Sequence, residues 1–499
     1  MGIRVETAAG TVEGVRTGAV TSWKGIPYAA PPVGPLRFAP PRPAVPWTGV
    51  RDCTRYGPIS LQPDPDPLAV WIPACEAAFF IPDAVQAEDC LNLNVWSPSG
   101  GGSGRHAVYL WIHGGAWVIG SGTAPWTDGS RLAASEDIVV VSLNYRLGAL
   151  GALAVDEEAR LGNDFLLDTI AALSWIRENI AAFGGDRDRV TVGGESAGAM
   201  MVCALLASPR ARDLFHGAIV QSGHGSADAG VEAAHRARDL FLRELGPGSE
   251  APTLERLRAA AVPDLMDAQR RMRREMITPF RPVVDGDVLP LPVIDALNRD
   301  EHNIFEAIGW GYGVGEEVPL RRRLERMLLE PDPALLDELT AAYRGLAATD
   351  QAVWNLLRTD LDWRLPQRDL AAFHADTGAP VYRYEFDFRS PVRGGVLSAS
   401  HAMDIPFPFG NLDQPGVDEL TGDDGESPGR RRVATQCRQA WGSFVRDGRP
   451  SSEQLPEWPR YERDRRETTV IGPDPSAGSD PHASRLDRWR EVSRVPPLS

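Results

Sequence analysis

The sequence contains very little lysine and cysteine, and both shortages restrict its chemistry. Lys24 is the only lysine, and its Pro/Gly-rich surroundings favour a structural or surface role over a phosphate-binding or Schiff-base role. The five cysteines include no Cys-x-x-Cys pair, and the nine histidines include no His-Glu-x-x-His pattern. These absences argue against a zinc site and against metal-dependent hydrolysis, and we expect neither a metal nor a cofactor.

Long apolar runs and net positive charge are also missing. The best apolar runs, such as 138–141, have the length of a strand and not of a membrane span. The formal net charge of −16 argues against nucleic acid or an anionic membrane as a partner. Because the N-terminus shows no apolar leader and the cysteines are sparse, we expect a cytoplasmic protein, either a monomer or a homodimer.

The most informative stretch is a Gly-x-Ser-x-Gly motif at residues 194–198, with Ser196 at its centre. A β-branched run precedes the motif and an apolar helical pattern follows it. This order of strand, turn and helix is the setting of a nucleophile elbow, in which the flanking glycines allow a sharp turn that exposes the serine hydroxyl. We therefore predict Ser196 as a nucleophile, and a structural turn serine is the weaker alternative.

Alternating strand and helix patterns predict an α/β fold, with a mostly parallel central sheet and helices on both faces. Strands are predicted at 108–112, 138–143, 190–192, 218–220, 304–310 and 381–386, and helices at 131–135, 165–183 and 197–206. We expect a single unit over 1–499. Within it, 1–230 forms the core with the nucleophile, 231–370 is a largely helical insertion around the site entrance that carries the acid loop, and 371–499 holds the base and an irregular tail.

A serine hydroxyl needs a base to take its proton, and in α/β-hydrolases the base is a histidine that follows both the serine and an acid along the chain. Three histidines come late enough. His374 lies in a helical stretch and His482 in the irregular tail, whereas His401 lies on a loop after a late strand. The sequence therefore predicts His401 as the base.

The acid that orients the base is expected after the preceding strand of the sheet. A glycine-rich loop at 311–317 follows the predicted strand 304–310 and ends in Glu316 and Glu317. Glycines let such a loop curl back toward the serine. We favour Glu316 as the acid, and Glu317 is the alternative.

Ester chemistry also requires backbone donors for the oxyanion, and a glycine-rich turn after a strand supplies them. Residues 111–117 match the form that this loop takes in lipases and esterases. The predicted donors are the amides of Gly115 and Ala116, together with that of Ala197 just after the nucleophile. A plain tight turn is the alternative for this loop.

With these motifs in place, the chain resembles the type B carboxylesterases, the α/β-hydrolase family that includes the cholinesterases. Further ordered matches lie at residues 24–29, 88–95, 144–148, 183–186, 221–223, 282–286 and 406–410. The family's acid usually sits in a Gly-x-x-x-Asp-Glu-Gly setting, which the loop at 311–317 reproduces only in part. Secreted relatives pair the cysteine at Cys90 with one upstream near position 60, where this chain has Ser60, so the resemblance implies no such disulfide unless Cys75 replaces the partner.

The resemblance implies hydrolysis of small-molecule carboxylic esters through an acyl-enzyme on Ser196. Hydrolysis of aryl carbamates or amides is the alternative within the family, and a non-catalytic, cholinesterase-like binding protein is the alternative outside catalysis. Candidate pocket residues lie beside the catalytic loops or at strand ends, although core packing explains each of them equally well: Trp117, His224, Trp310 and Phe407.

Overall fold

The structure is a computed structural model. It describes residues 2–63, 79, 83–98, 106–155, 161–225, 229–246, 254–272, 275–276, 278–289, 297–302, 319–327, 333–347, 349–423, 425 and 429–491. Several features named above lie outside the described residues: Cys75, Trp310, Glu316, Glu317 and the predicted strand 304–310.

A mixed sheet forms the centre of the fold. Its strands are β1 (Gly2–Thr7), β2 (Gly10–Thr17), β3 (Val20–Pro27), β4 (Val50–Asp52), β7 (Asn92–Pro98), β8 (His106–Ile112), β9 (Val139–Leu143), β10 (Gly185–Glu195) and β11 (Gly217–Gln221). The order is β1-β2-β3-β7-β9-β8-β10-β11, and β4 pairs with β2. Along the N-terminal part of this order, β1, β2, β3, β7 and β9 pair antiparallel, and β4 pairs parallel with β2. From β9 onward, the pairs β9–β8, β8–β10 and β10–β11 are parallel. The strands predicted at 108–112, 138–143, 190–192 and 218–220 therefore form the parallel part of the sheet, and Ser196 follows directly after one of them, β10.

Alternation along the parallel strands builds a core on each face of the sheet. In β8, the side chains of Val108, Leu110 and Ile112 join one apolar cluster, which includes helix Asp164–Asn179. The side chains of Tyr109 and Trp111 join the other, which includes helix Arg430–Asp447. A strand with helices on both faces must be apolar at every position, because successive side chains point to opposite sides. This explains why β8 is apolar from Ala107 to Ile112 and why β9 is apolar except at Ser142.

Two smaller sheets and a set of helices complete the described chain. One sheet has the order β12 (Leu297–Asn298), β13 (Tyr384–Phe386), β14 (Thr468–Ile471) and β15 (Ser476–Gly478), and the other pairs β5 (Ile59–Ser60) with β6 (Gln86–Ala87). The α-helices are Ser130–Glu136, Gly148–Ala152, Asp164–Asn179, Ala197–Ala207, Val231–Glu244, Leu254–Ala259, Val262–Met272, Leu320–Met327, Pro333–Arg344, Asp350–Thr359, Leu365–Asp376, Pro406–Phe409, Val417–Thr421, Arg430–Asp447 and Ala483–Leu486. The alternating segment predicted as a strand at 381–386 is a strand only over Tyr384–Phe386.

The cysteines in the described chain are buried thiols. Cys90 lies beside the Ser60 hydroxyl and its thiol is free. Burial raises the pKa of Cys90 to about 12, so this thiol stays protonated. Among the described helices, none is long and apolar enough to cross a membrane.

Candidate active site

Ser196 occupies a strained turn between β10 and helix Ala197–Ala207. Its backbone has φ +53° and ψ −125°, a conformation that L-residues rarely adopt. The turn is fixed because the Ser196 amide donates to the Gln221 carbonyl at 3.0 Å. A Cβ on Gly198 would lie 2.1 Å from the Ile112 carbonyl oxygen, so the helix can approach the end of β8 this closely only with glycine there.

The glycine-rich loop after β8 packs directly against this turn. Gly115, Ala116 and Trp117 all have positive φ, at +107°, +53° and +58°. A Cβ on Gly114 would lie 3.2 Å from the Ser196 Cβ, which shows how little space separates loop and serine. Within the described residues, no protein group accepts a hydrogen bond from the amides of Gly115 and Ala116. Three successive residues with positive φ, of which only Ala116 and Trp117 are strained, thus leave two unpaired amides beside the serine.

His401 is joined to a carboxylate that the sequence analysis did not select. The Nδ1 atom of His401 lies 2.7 Å from Glu301 Oε2, and both residues are buried. Glu301 follows β12 and His401 follows β13, and because these strands are parallel neighbours, their following loops lie side by side.

Further hydrogen bonds hold these two loops in register. The Asp300 amide donates to the Ala399 carbonyl at 3.0 Å, and the His401 amide donates to the Glu301 carbonyl at 3.4 Å. The Ser398 hydroxyl donates to the Asp300 carboxylate at 2.8 Å. The loop after β12 is therefore bonded to the histidine loop at several points besides the side-chain contact.

The position expected for Glu316 is occupied by Glu301. An imidazole carries a single Nδ1–H, and that hydrogen is directed to Glu301, while Glu316 lies outside the described residues. The sequence does carry a signal for Glu301: Asp300 and Glu301 form an Asp-Glu pair like that of the Gly-x-x-x-Asp-Glu-Gly setting, with Ala296 and His302 in place of the two glycines. The signal is weak, because the pair lacks both glycines of that setting and the strand that precedes it is only two residues long.

Two more carboxylates act on His401. Its Nε2 atom faces the turn at Ser196, where it lies 3.2 Å from Glu195 Oε1, and Asp404 is buried nearby. Burial alone would disfavour the imidazolium, but Glu195 and Glu301 outweigh it and raise the pKa of His401. Burial, with Asp404 and Glu301 adding to it, raises the pKa of Glu195 against the opposing effect of His401. Glu195 and His401 therefore compete for one proton next to Ser196.

The candidate pocket residues have different surroundings. His224 is only partly buried and lies against the ring of Trp363, with 5.2 Å between ring centroids. Burial, together with Arg281 and His401, lowers the pKa of His224 to about 4, so its imidazole is neutral. Trp117 is buried, 6.5 Å from the ring of Phe165.

Phe407 packs in the apolar core. It is fully buried, and its ring lies 5.1 Å from those of both Phe386 and Phe388. These contacts belong to the core on the face of helix Arg430–Asp447. The position of Phe407 just after the histidine loop is therefore a consequence of core packing.

The model of the carboxylesterase family matches residues 2–311 and 329–489. The chain belongs to the carboxylesterase family. The family resemblance, the hydrolase class and the α/β-hydrolase fold expected from the sequence are thereby confirmed. The two matched stretches contain Ser196, Glu301 and His401, and they leave out the segment 312–328 in which Glu316 and Glu317 lie.

Individual relatives are similar over nearly the whole length. The chain is 36% identical to a para-nitrobenzyl esterase from Bacillus subtilis (97% of this chain and 98% of the relative). It is also 36% identical to a phenmedipham hydrolase from Pseudarthrobacter oxydans (93% and 94%). Among solved structures, a carboxylesterase from Geobacillus stearothermophilus superposes with a TM-score of 0.85 at 35% identity, covering 97% of this chain and 99% of that one.

Proposed function

We propose that this member of the carboxylesterase family hydrolyses carboxylic esters, with Ser196 as nucleophile, His401 as general base and Glu301 as the orienting acid. The observation that carries the proposal is the orientation of the imidazole. With Nδ1 directed to Glu301 at 2.7 Å, Nε2 is left facing the nucleophile turn. This is the arrangement that a serine hydrolase needs, because Nε2 must exchange the proton of the serine hydroxyl.

The chemistry follows in two acyl-transfer steps. Ser196 Oγ attacks the ester carbonyl while its proton passes to His401 Nε2, and Glu301 stabilises the imidazolium that forms. The unpaired amides of Gly115 and Ala116, with that of Ala197 at the helix N-terminus, receive the oxyanion. One such donor typically contributes ~10²–10³ in kcat. His401 then protonates the leaving alcohol, and water releases the acid from Ser196 by the same route.

We propose uncharged small-molecule esters as the substrates. The name of one relative, a para-nitrobenzyl esterase, supports this class of substrate. We propose that the enzyme acts without a cofactor and in a reducing compartment such as the cytoplasm. The compartment is inferred from Cys90, whose thiol is free and lies beside Ser60, where the family resemblance implies a disulfide partner in secreted relatives. Aryl carbamates and amides remain the second class of substrate to test.

The direct test is active-site labelling combined with a pre-steady-state burst. A p-nitrophenyl alkylphosphonate should add one phosphonyl group per chain, and peptide mass spectrometry should place it on Ser196. Mixing the enzyme with p-nitrophenyl acetate should release p-nitrophenol in a burst equal to the enzyme concentration if the acyl-enzyme accumulates. The Ser196→Ala variant should take up no label. A wild-type chain with neither label nor turnover would instead support a non-catalytic binding protein.

The pH dependence of hydrolysis should reflect the carboxylates around His401. Only the neutral imidazole accepts the serine proton, so kcat/KM should rise with pH through an apparent pKa above the ordinary value of about 6.5. In Glu195→Gln the attraction that favours the imidazolium is weaker, so the rise should move to lower pH. The exposed Glu232→Gln serves as the matched control and should keep the wild-type profile. An unchanged profile in Glu195→Gln would show that Glu195 does not act on His401.

A further inference from the structure

A π-helical turn interrupts one long helix next to the site. Helix Asp350–Thr359 continues through the π turn Asp360–Arg364 into helix Leu365–Asp376, and the Leu365 amide bonds to the Asp360 carbonyl five residues back. Pro366 explains the interruption, because it has no amide hydrogen and its ring conflicts with the carbonyl four residues earlier. Such turns occur frequently at functional sites.

The π turn is bonded to the loop that carries Glu301. The buried Arg364 guanidinium donates to the carbonyl oxygen of Arg299, and the His302 amide donates to Thr359 Oγ1 at 3.2 Å. These two hydrogen bonds lie on either side of Glu301 in the sequence. The position of the acid is therefore coupled to the position of the π turn.

The π turn itself is fixed by buried charges. Asp360 pairs with the Arg364 guanidinium and accepts a hydrogen bond from the Tyr343 hydroxyl at 2.7 Å. Arg485 also donates to Asp360, which connects the turn to the C-terminal segment. Because a buried charge pair is costly to separate, these contacts leave the turn little freedom to shift.

Trp363 extends from this fixed turn to the catalytic histidine. Its ring centroid lies 4.8 Å from that of His401, with 46° between the ring planes, and its side chain is almost fully buried. The indole of Trp363 also contacts His224, with 5.2 Å between their ring centroids. The indole is therefore held in contact with the imidazole by the same turn that holds the loop of Glu301.

We propose that Trp363 is a positioning residue for His401, whose indole keeps the imidazole oriented with Nδ1 on Glu301 while the proton moves to and from Nε2. The inference rests on the proposed function, since it concerns the working orientation of the proposed base. An aromatic face also favours a cation at this distance, so the indole should stabilise the imidazolium formed in each step. The other groups that act on the charge of His401 are Glu195 from the nucleophile turn, Glu301 from the acid loop, Asp404 from its own loop and His224 after β11.

The test compares Trp363→Leu with Trp363→Phe in the full chain. With p-nitrophenyl acetate, the leucine variant should lose about tenfold in kcat with KM nearly unchanged, because the lost contact matters most when the imidazole is charged. Its rise of kcat with pH should also move to lower pH. The phenylalanine variant keeps an aromatic face and should recover most of kcat and the wild-type pH profile.

Trp354→Leu is the matched control, because Trp354 is a buried indole on the same helix that packs against Arg323 and Arg358. It should lower the melting temperature without changing kcat or the pH profile. Equal loss of kcat in both leucine variants, or wild-type kcat in Trp363→Leu, would overturn the positioning role. If Trp363→Leu does not fold, Trp363→Met keeps the bulk without the ring and is judged by the same criteria. Phosphonate labelling of the wild type separates this outcome from failure of the proposed function. If the proposed function were wrong, the wild-type chain itself would take up no label on Ser196.

Discussion

Replacing Glu301 by glutamine is expected to reduce kcat by ~10⁴-fold, the size of effect seen when the acid of a serine hydrolase is made an amide. The amide has nearly the same shape as the carboxylate but no charge. It can neither stabilise the imidazolium nor keep the proton on Nδ1, because it can equally well donate to that nitrogen. Steady-state hydrolysis of p-nitrophenyl acetate measures the loss, and the rate of phosphonate labelling at Ser196 should fall in parallel.

Glu316→Gln is the matched comparison, because Glu316 is the other carboxylate that the sequence offers for this role. We expect its kcat to stay at the wild-type value. The melting temperature of Glu301→Gln must be recorded, since Glu301 is fully buried and an unfolded variant would also be inactive. A folded Glu301→Gln variant with wild-type kcat, together with an inactive Glu316→Gln variant, would return the acid to the glycine-rich loop.

The parts of the site that lie within continuous stretches of sequence could be predicted. The nucleophile turn follows from a β-branched run, two glycines and an apolar helix, and all three are local features of residues 190–207. His401 follows from its loop position after an alternating strand. Local sequence determines such elements because strand, turn and helix propensities agree there.

The sequence does not predict the contact of Glu301 with His401, because this contact depends on pairing between distant segments. It is brought to His401 by the pairing of β12 with β13, strands of two and three residues whose own sequences give little signal. Phe407 shows the same limit, since an aromatic residue beside a catalytic loop can face either the site or the core. The contact of Trp363 with His401 joins positions 38 residues apart through a π turn, which the sequence analysis did not predict.

The electrostatic surroundings of His401 could not be predicted from the sequence either, because they depend on the folded arrangement. Glu195 is adjacent to Ser196 in sequence, yet its effect depends on its Oε1 lying 3.2 Å from His401 Nε2 in a buried setting. Three carboxylates and one imidazole in this space cannot all take their ordinary protonation states. The pKa of His401 is therefore raised, so as the proposed base it should accept a proton more strongly and lose activity at low pH.

Gly114→Ala is expected to lower kcat by ~10²–10³-fold, the effect of losing one oxyanion donor. The backbone of Gly114 does not have a positive φ, so the penalty is spatial. The added Cβ would lie 2.8 Å from the Glu195 carbonyl oxygen and 2.9 Å from Glu195 Oε2. Because the backbone of β10 cannot move easily, the glycine-rich loop must shift, and the amides of Gly115 and Ala116 shift with it.

Gly114→Ala should lower turnover but should still take up the phosphonate label on Ser196, since Ser196, His401 and Glu301 stay in place. We therefore expect Gly114→Ala to lose kcat while KM for p-nitrophenyl acetate changes little, because the oxyanion forms only in the transition state. Gly345→Ala is the control: a Cβ there meets no atom within 4 Å, and kcat should be that of the wild type. If Gly114→Ala kept the wild-type kcat, the loop after β8 would not supply the oxyanion donors, and the amide of Ala197 would have to act with donors from elsewhere.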